Sequence, residues 1–235
     1  MVRLILLFLL WLPLMTAASE TLNIAVAASF RPVIEQLAPR FEQKTGIKVQ
    51  VSSASSGVLT QQIVAGAPFD LFFSADAKRP EAVAEVLQLP ASSVQAYALG
   101  TLVLISTEPT VLSVSDLADY QGKVILANPQ HAPYGVAAAE VLDHVGFQGD
   151  RVQANNVAQA RQYISLALAP VGLIAQSVAT DLAPQFGIEP SLYSDIVQKR
   201  VVVQSSDRVN RFLEYLKLPG SVQVIESFGY RVPSN

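Results

Sequence analysis

Short, nearly continuous apolar runs alternate along this chain with stretches whose apolar residues recur at helical spacing, and that alternation restricts the fold more than any other feature. Residues 22–27 form an apolar run of the kind shown by a strand buried on both faces of a parallel sheet. Pro32 then stands near a helix start, Val33, Ile34, Leu37 and Phe41 fall on one helical face, and Gly46 marks a stop. A strand over 47–51 leads to a helix carrying Leu59, Ile63 and Val64, and then to a strand over 69–73. A second series begins with strands at 102–105 and 123–127. It continues with a helix opening near Gly135, which presents Val136, Val141 and Leu142 inward and stops at Gly146. A helix over 157–166, strands at 171–175 and 201–203, and two closing helical patterns complete the reading; residues 176–198 show no clear pattern. Repeated βα winding of this kind predicts parallel sheets covered by helices. No long linker or repeat interrupts it, and if there are two lobes the chain crosses between them near 98–101 and returns near 199–203.

Residues 1–19 read as a secretory signal peptide, with Arg3 as the charged end, an apolar run over 4–15, and Thr16-Ala17-Ala18 before a cut near Ala18. The apolar core is shorter than the roughly 20 residues a spanning helix needs, and Pro13 interrupts it. The chain contains no Cys, which removes lipid attachment at the cleavage point, disulfides, thiolate metal sites and thiol nucleophiles together. A periplasmic protein, soluble after cleavage, is therefore expected. The formal charge is −3, and without Arg3 it becomes −4. No basic cluster of the kind that grips nucleic acid occurs, so nucleic acid is excluded as a partner. About 215 residues remain, enough for one large domain or two smaller ones.

Ligands of open α/β sheets sit at the carboxyl ends of strands, where helix N-termini present unpaired N–H groups. Four junctions here suit an anion. They are Ala28-Ser29-Phe30, Ser55-Ser56-Gly57, Asn128-Pro129-Gln130-His131-Ala132-Pro133-Tyr134-Gly135 and Asn155-Asn156-Val157. Taken singly, Ser and Asn at such places are ordinary helix caps. Two junctions fall in each half of the chain, as a cleft between lobes requires.

The chain resembles the periplasmic molybdate-binding proteins of ABC transporters over nearly all of its length after the leader. The resemblance rests on Val26-Ala27-Ala28-Ser29, on Ser53-Ala54-Ser55-Ser56-Gly57, on the stretch 66–76 containing Phe69-Asp70-Leu71-Phe72-Phe73, on 128–135, and on Phe228-Gly229-Tyr230. It implies a two-lobed periplasmic binding protein fold of type II, each lobe a sheet flanked by helices, with a hinged cleft. Lobe I would comprise 20–98 plus 204–235, and lobe II 99–203. It also implies binding of molybdate, and of tungstate, for delivery to an ABC transporter membrane permease, with no cofactor and no enzymatic activity. Carried over position by position, the anion's donors fall on Ser29, Ser56, Tyr134 and Val157. Some members add a Tyr hydroxyl where this chain has Ala175. A monomer is expected.

Molybdate is fully ionised at neutral pH and offers only acceptors, so neutral N–H and O–H donors satisfy it. None of the four junctions carries Asp or Glu, the acceptor a protonated phosphate would want. Arg31 follows the first junction and reads better as a solvated side chain than as a charge clamp. Asp70 and Asp76 are read as bonding to local backbone or capping. His131 and His144 have no third ligand in view, so no free metal ion is expected. A receptor for sulfate, thiosulfate or another oxyanion is the nearest alternative. A secreted hydrolase is more remote, since G-x-S-x-G and H-E-x-x-H are absent, and the sensing half of a transcription regulator would need a DNA-binding helix pair where the leader stands.

Overall fold

The first apolar run forms β1 (Thr21–Ala27), in which Leu22, Ile24 and Val26 face one side, Ala25 faces the other, and all four are fully buried. The computed structural model describes residues 20–182 and 184–233; the leader and its cleavage point near Ala18 lie outside them. β1 leads into α1 (Arg31–Thr45), with Pro32 in its first turn and Gly46 at its end as the sequence predicts. β2 (Lys48–Ala54), α2 (Ser56–Val64), β3 (Leu71–Phe73), α3 (Lys78–Val86) and β4 (Val94–Gly100) follow. A second sheet begins immediately with β5 (Leu102–Ser106) and takes in β6 (Lys123–Ala127), α4 (Pro133–His144), β7 (Asp150–Ala154), α5 (Val157–Ser165), β8 (Val171–Ala175) and β9 (Gln185–Gly187). β10 (Ile196–Val202) returns to the first sheet, and α6 (Asp207–Leu216) and α7 (Pro219–Ser227) close the chain.

The two sheets repeat one plan, with strand orders β2-β1-β3-β10-β4 and β7-β6-β8-β5-β9. β1 runs parallel to β2 and β3, and β6 parallel to β7 and β8. The fourth strand of each, β10 and β5, is antiparallel to both neighbours, so the expected all-parallel sheets are in fact mixed. Each lobe thus keeps two parallel strand-to-helix junctions at one edge, and these carry the site.

Lobe I packs helices on both faces of its sheet. Phe30, Phe41 and Phe212 join α1 and α6 to one face, with the Phe41 and Phe212 rings edge-on at 5.0 Å. Leu59, Ile63 and Val83 of α2 and α3 cover Phe72 on the other. Each such fully buried side chain stabilises the fold by roughly 1.5–3 kcal/mol. In lobe II the buried line of α4 is Tyr134, Ala137, Ala138, Val141 and Leu142. Val136 lies off that stripe and is exposed, not inward as expected, because a helix starting at Pro133 sets the phase.

The outward crossing falls at Thr101, between β4 and β5, where it was expected. The return lies at 188–195, ahead of the expected 199–203, because β10 pairs with β4 from Ile196 onward and with β3 from Arg200. Gln198 and Arg200 look like linker residues in sequence yet are buried in this central strand, Arg200 donating to Gln95 Oε1 at 2.5 Å. Residues 99 and 100 likewise belong to lobe I with β4. The unpatterned stretch 176–198 holds two short 3₁₀ turns, Gln176–Val178 and Pro190–Leu192, around β9.

Candidate functional site

β1 and β2 of lobe I and β6 and β7 of lobe II each end at a helix N-terminus, and the four junctions meet around one small cavity. Ser29, Ser55, Ser56, Tyr134, Asn156 and Val157 line it. All four residues singled out in the sequence therefore come together, two from each lobe. The cavity volume is about 10 Å³, close to the space of one water-sized particle and far below the roughly 300–1,000 Å³ of sites for organic ligands.

The first N–H groups of a helix have no partner within it and carry the positive end of its dipole. Among the described residues, the N–H groups of Ser29, Ser56, Tyr134 and Val157 donate to no protein acceptor. Ser29 Oγ and Ser55 Oγ are also without a hydrogen-bond partner, although the residues are only 1% and 4% exposed. Ser29 Oγ lies near the Tyr230 hydroxyl but not in hydrogen-bonding geometry. Ser56 Oγ accepts from the Ala75 N–H at 3.0 Å, which leaves its proton free to donate. Leaving a buried hydroxyl unpaired costs about 1–3 kcal/mol, so these serines are not built for stability.

Ser55 is the residue that sequence reasoning passed over in favour of its neighbour. It occupies the N-cap of α2, with φ −66° and ψ 151°, yet makes no capping bond. Asn156 stands at the matching place on α5 and does cap, accepting from the Gln159 N–H at 3.0 Å. The run Ser55-Ser56 was the available signal, but only burial and the missing cap bond separate the two roles.

Gly57 serves a different end from the ligand approach its position suggests. Its N–H donates across the cleft to the His131 carbonyl at 2.9 Å. A Cβ there would stand 3.1 Å from His131 Cα and O, so the glycine lets the lobes meet.

No ionisable carboxylate, ammonium, guanidinium or imidazole lines the cavity. Arg31 points to solvent and pairs with Glu35 at 2.7 Å. Asp70 is held by the Asn23 N–H at 2.8 Å and by Arg208 at 2.6 Å, deep in lobe I. Asp76 accepts from Ser74 Oγ at 2.9 Å and pairs with Arg79. His144 is exposed at the end of α4. Ala175 is fully buried and brings no hydroxyl. A larger cavity of about 660 Å³ lies between the lobes, with charges of both signs on its walls, Lys78 and Arg79 beside Asp76, Glu140 and Asp195, and none of the four junction residues among its lining.

Residues 22–231 match the family described as bacterial extracellular solute-binding protein. The molybdate-binding protein ModA of Rhodobacter capsulatus is 33% identical over 231 residues, spanning 93% of this chain and 91% of that protein. ModA of Azotobacter vinelandii is 32% identical over 235 residues, spanning 91% of each. The solved structure of the Azotobacter vinelandii periplasmic molybdate-binding protein matches with a TM-score of 0.81 at 35% identity, covering 91% of this chain and all of that one.

Proposed function

Since the chain belongs to the bacterial extracellular solute-binding proteins, we propose that it binds molybdate in the periplasm and presents it, as a monomer, to an ABC transporter permease. The observation that carries this reading is the set of unpaired donors: buried hydroxyls and four free N–H groups around a cavity that holds no charged side chain. Such a wall matches a fully deprotonated oxyanion, which accepts hydrogen bonds on every oxygen and has no proton to give. Ser29, Ser55 and Ser56 act through hydroxyls, and Ser29, Ser56, Tyr134 and Val157 through N–H groups. Each charge-assisted bond contributes about 1.5–3 kcal/mol, and closure of the lobes keeps water from competing.

The hinge consists of Thr101 and the stretch 188–195, the two places where the chain passes between sheets. Rotation there brings the N-termini of α4 and α5 over those of α1 and α2. Sulfate accepts the same bonds but is smaller, so a donor cage sized for molybdate meets it with stretched hydrogen bonds; tungstate, nearly isosteric with molybdate, fits equally. No general base stands beside the serines, since no His, Asp or Glu lines the cavity, which supports a binder over a hydrolase. No helix among the described residues is long and apolar enough to cross a membrane.

Calorimetric titration of the protein lacking residues 1–19 tests the reading. Molybdate and tungstate should bind one to one, with sulfate at least about 100-fold weaker, a gap of about 2.7 kcal/mol. Sulfate binding as tightly as molybdate, or none of the three binding, overturns the ligand assignment.

A further inference from the structure

Tyr134 offers its N–H to the cavity, while its hydroxyl is engaged by another residue. It reaches from α4 in lobe II to the hinge strands of lobe I, where Gln198 Nε2 on β10 donates to it at 2.9 Å. Both residues are buried, Gln198 completely. Gln198 is itself held on the lobe I side, because the Tyr97 hydroxyl on β4 donates to its Oε1 at 2.7 Å. Gly100 stands at the end of β4, next to the crossing at Thr101. A Cβ at that position would lie 2.1 Å from Tyr134 Oη and 2.6 Å from Gln198 Nε2, so the hydroxyl sits in a space only glycine leaves.

A second buried pair continues the path back to the site. The Tyr230 hydroxyl, from lobe I, donates to Ser177 Oγ of lobe II at 3.1 Å. Ser177 Oγ in turn donates to the Ser29 carbonyl at 2.7 Å. The Tyr134 and Tyr230 hydroxyls lie close to each other, which sets the two pairs side by side. The Gln198–Tyr134, Tyr230–Ser177 and Ser177–Ser29 bonds all cross between lobes, so parting the lobes breaks them together. Burial raises the pKa of Tyr97, Tyr134 and Tyr230, which keeps all three hydroxyls protonated and able to donate.

We propose that the Tyr134 hydroxyl is an interlobe latch: docked on Gln198 beside Gly100, it holds the cleft shut and so sets how long the anion stays bound. Tyr134 then does two separable things, binding the ligand through its backbone and retaining it through its side chain. This deepens the receptor reading and rests on the lobes parting to admit the ion.

The Tyr134→Phe variant separates the two, because it keeps the N–H and the ring and removes only the hydroxyl. Stopped-flow measurement should show molybdate leaving about tenfold faster, the effect of losing a buried hydrogen bond, with the association rate no slower than in the parent, since the open form that admits the ion is the more populated. Gln198→Leu should do the same, and the double variant should be no faster than the faster single one, since both remove one contact. Wild-type dissociation from Tyr134→Phe, or single effects that simply multiply, overturns the latch.

A second measurement stands apart from the ligand assignment. The chain has no native Cys, so exposed Gln43 of lobe I and Gln148 of lobe II, changed to Cys, take spin labels specifically. In anion-free protein, Tyr134→Phe should shift the label distances toward longer values. If no anion binds but the distances lengthen, the ligand reading fails and the latch stands. Unchanged distances sink the latch even if molybdate binds tightly.

Discussion

Lobe I faces the cavity with three hydroxyls, from Ser29, Ser55 and Ser56, whereas lobe II faces it with the N–H groups of Tyr134 and Val157 and keeps its side chains for other work. Asn156 caps α5, and the Tyr134 hydroxyl is docked on the hinge. Lobe I thus adds hydroxyls to the N–H groups of Ser29 and Ser56, whereas lobe II contributes N–H groups alone. Lobe I's hydroxyls are set by residue identity and vanish with one substitution. Lobe II's donors are set by where two helices begin, and any residue except proline preserves them. Ligand selectivity is accordingly more open to change through lobe I, and closure through lobe II.

The largest effect tests the lobe I half. Ser29→Ala and Ser56→Ala should each weaken molybdate binding by about 1.5–3 kcal/mol, and the double variant by roughly twice that if the two hydroxyls act independently. Titration calorimetry reads both. Unchanged affinity in the single variants would remove the hydroxyls from the site and leave only backbone donors in both lobes.

For lobe II the matching experiment must delete an N–H, not a side chain. Val157 opens α5, a position that tolerates proline, and Asn156 before it is extended, φ −160° and ψ 175°, clear of the helical region that a following proline disfavours. Val157→Pro should therefore keep the helix and weaken anion binding by about 1.5–3 kcal/mol. Val157→Ala should bind nearly as the parent does while losing some stability from the emptied core position. If both weaken binding alike, the donor is not the N–H.

The seam between lobes answers to pH. The pKa values of Tyr97, Tyr134 and Tyr230 are all raised, chiefly by burial, above the ordinary value near 10. In the unfolded chain these groups lose their protons near pH 10, while in the folded chain they keep them. Their stabilising effect is complete below pH 10 and is lost as pH rises toward the folded values, approaching roughly 1.4 kcal/mol per tyrosine per pH unit. Denaturant midpoints should fall above pH 10, and less steeply in Tyr230→Phe. An equal slope in that variant would mean the seam tyrosines are not the cause.

The same contrast explains what could be read in advance. The four junctions were legible because strand ends and helix starts leave local marks, such as apolar runs, prolines and cap residues, whereas the choice of Ser29, Ser56, Tyr134 and Val157 within them came from the family resemblance. β7 was not, since its residues are mostly outward-facing and only Ala154 is buried. β10 was hidden for a different reason. Gln198, Lys199 and Arg200 look like a polar connection, and only distant partners at Tyr97, Tyr134 and Gln95 make them strand interior. Ser55 escaped because a cap and an uncapped ligand donor share one residue type, and the difference lies wholly in tertiary burial.

That difference yields the smallest and most diagnostic effect, because Ser55 and Asn156 hold the same N-cap place in opposite lobes. Replacing Asn156 by Ala removes a real cap and should lower the stability of the anion-free protein by about 0.5–2 kcal/mol. Ser55→Ala removes no bond and relieves a buried hydroxyl of its unpaired state, so anion-free stability should hold or rise slightly. Molybdate affinity should move the other way, falling in Ser55→Ala and changing little in Asn156→Ala. Paired denaturation and titration of the two variants measure both quantities. If Ser55→Ala destabilises the free protein as a lost cap does, its hydroxyl serves the helix, and lobe I meets the anion with two hydroxyls instead of three.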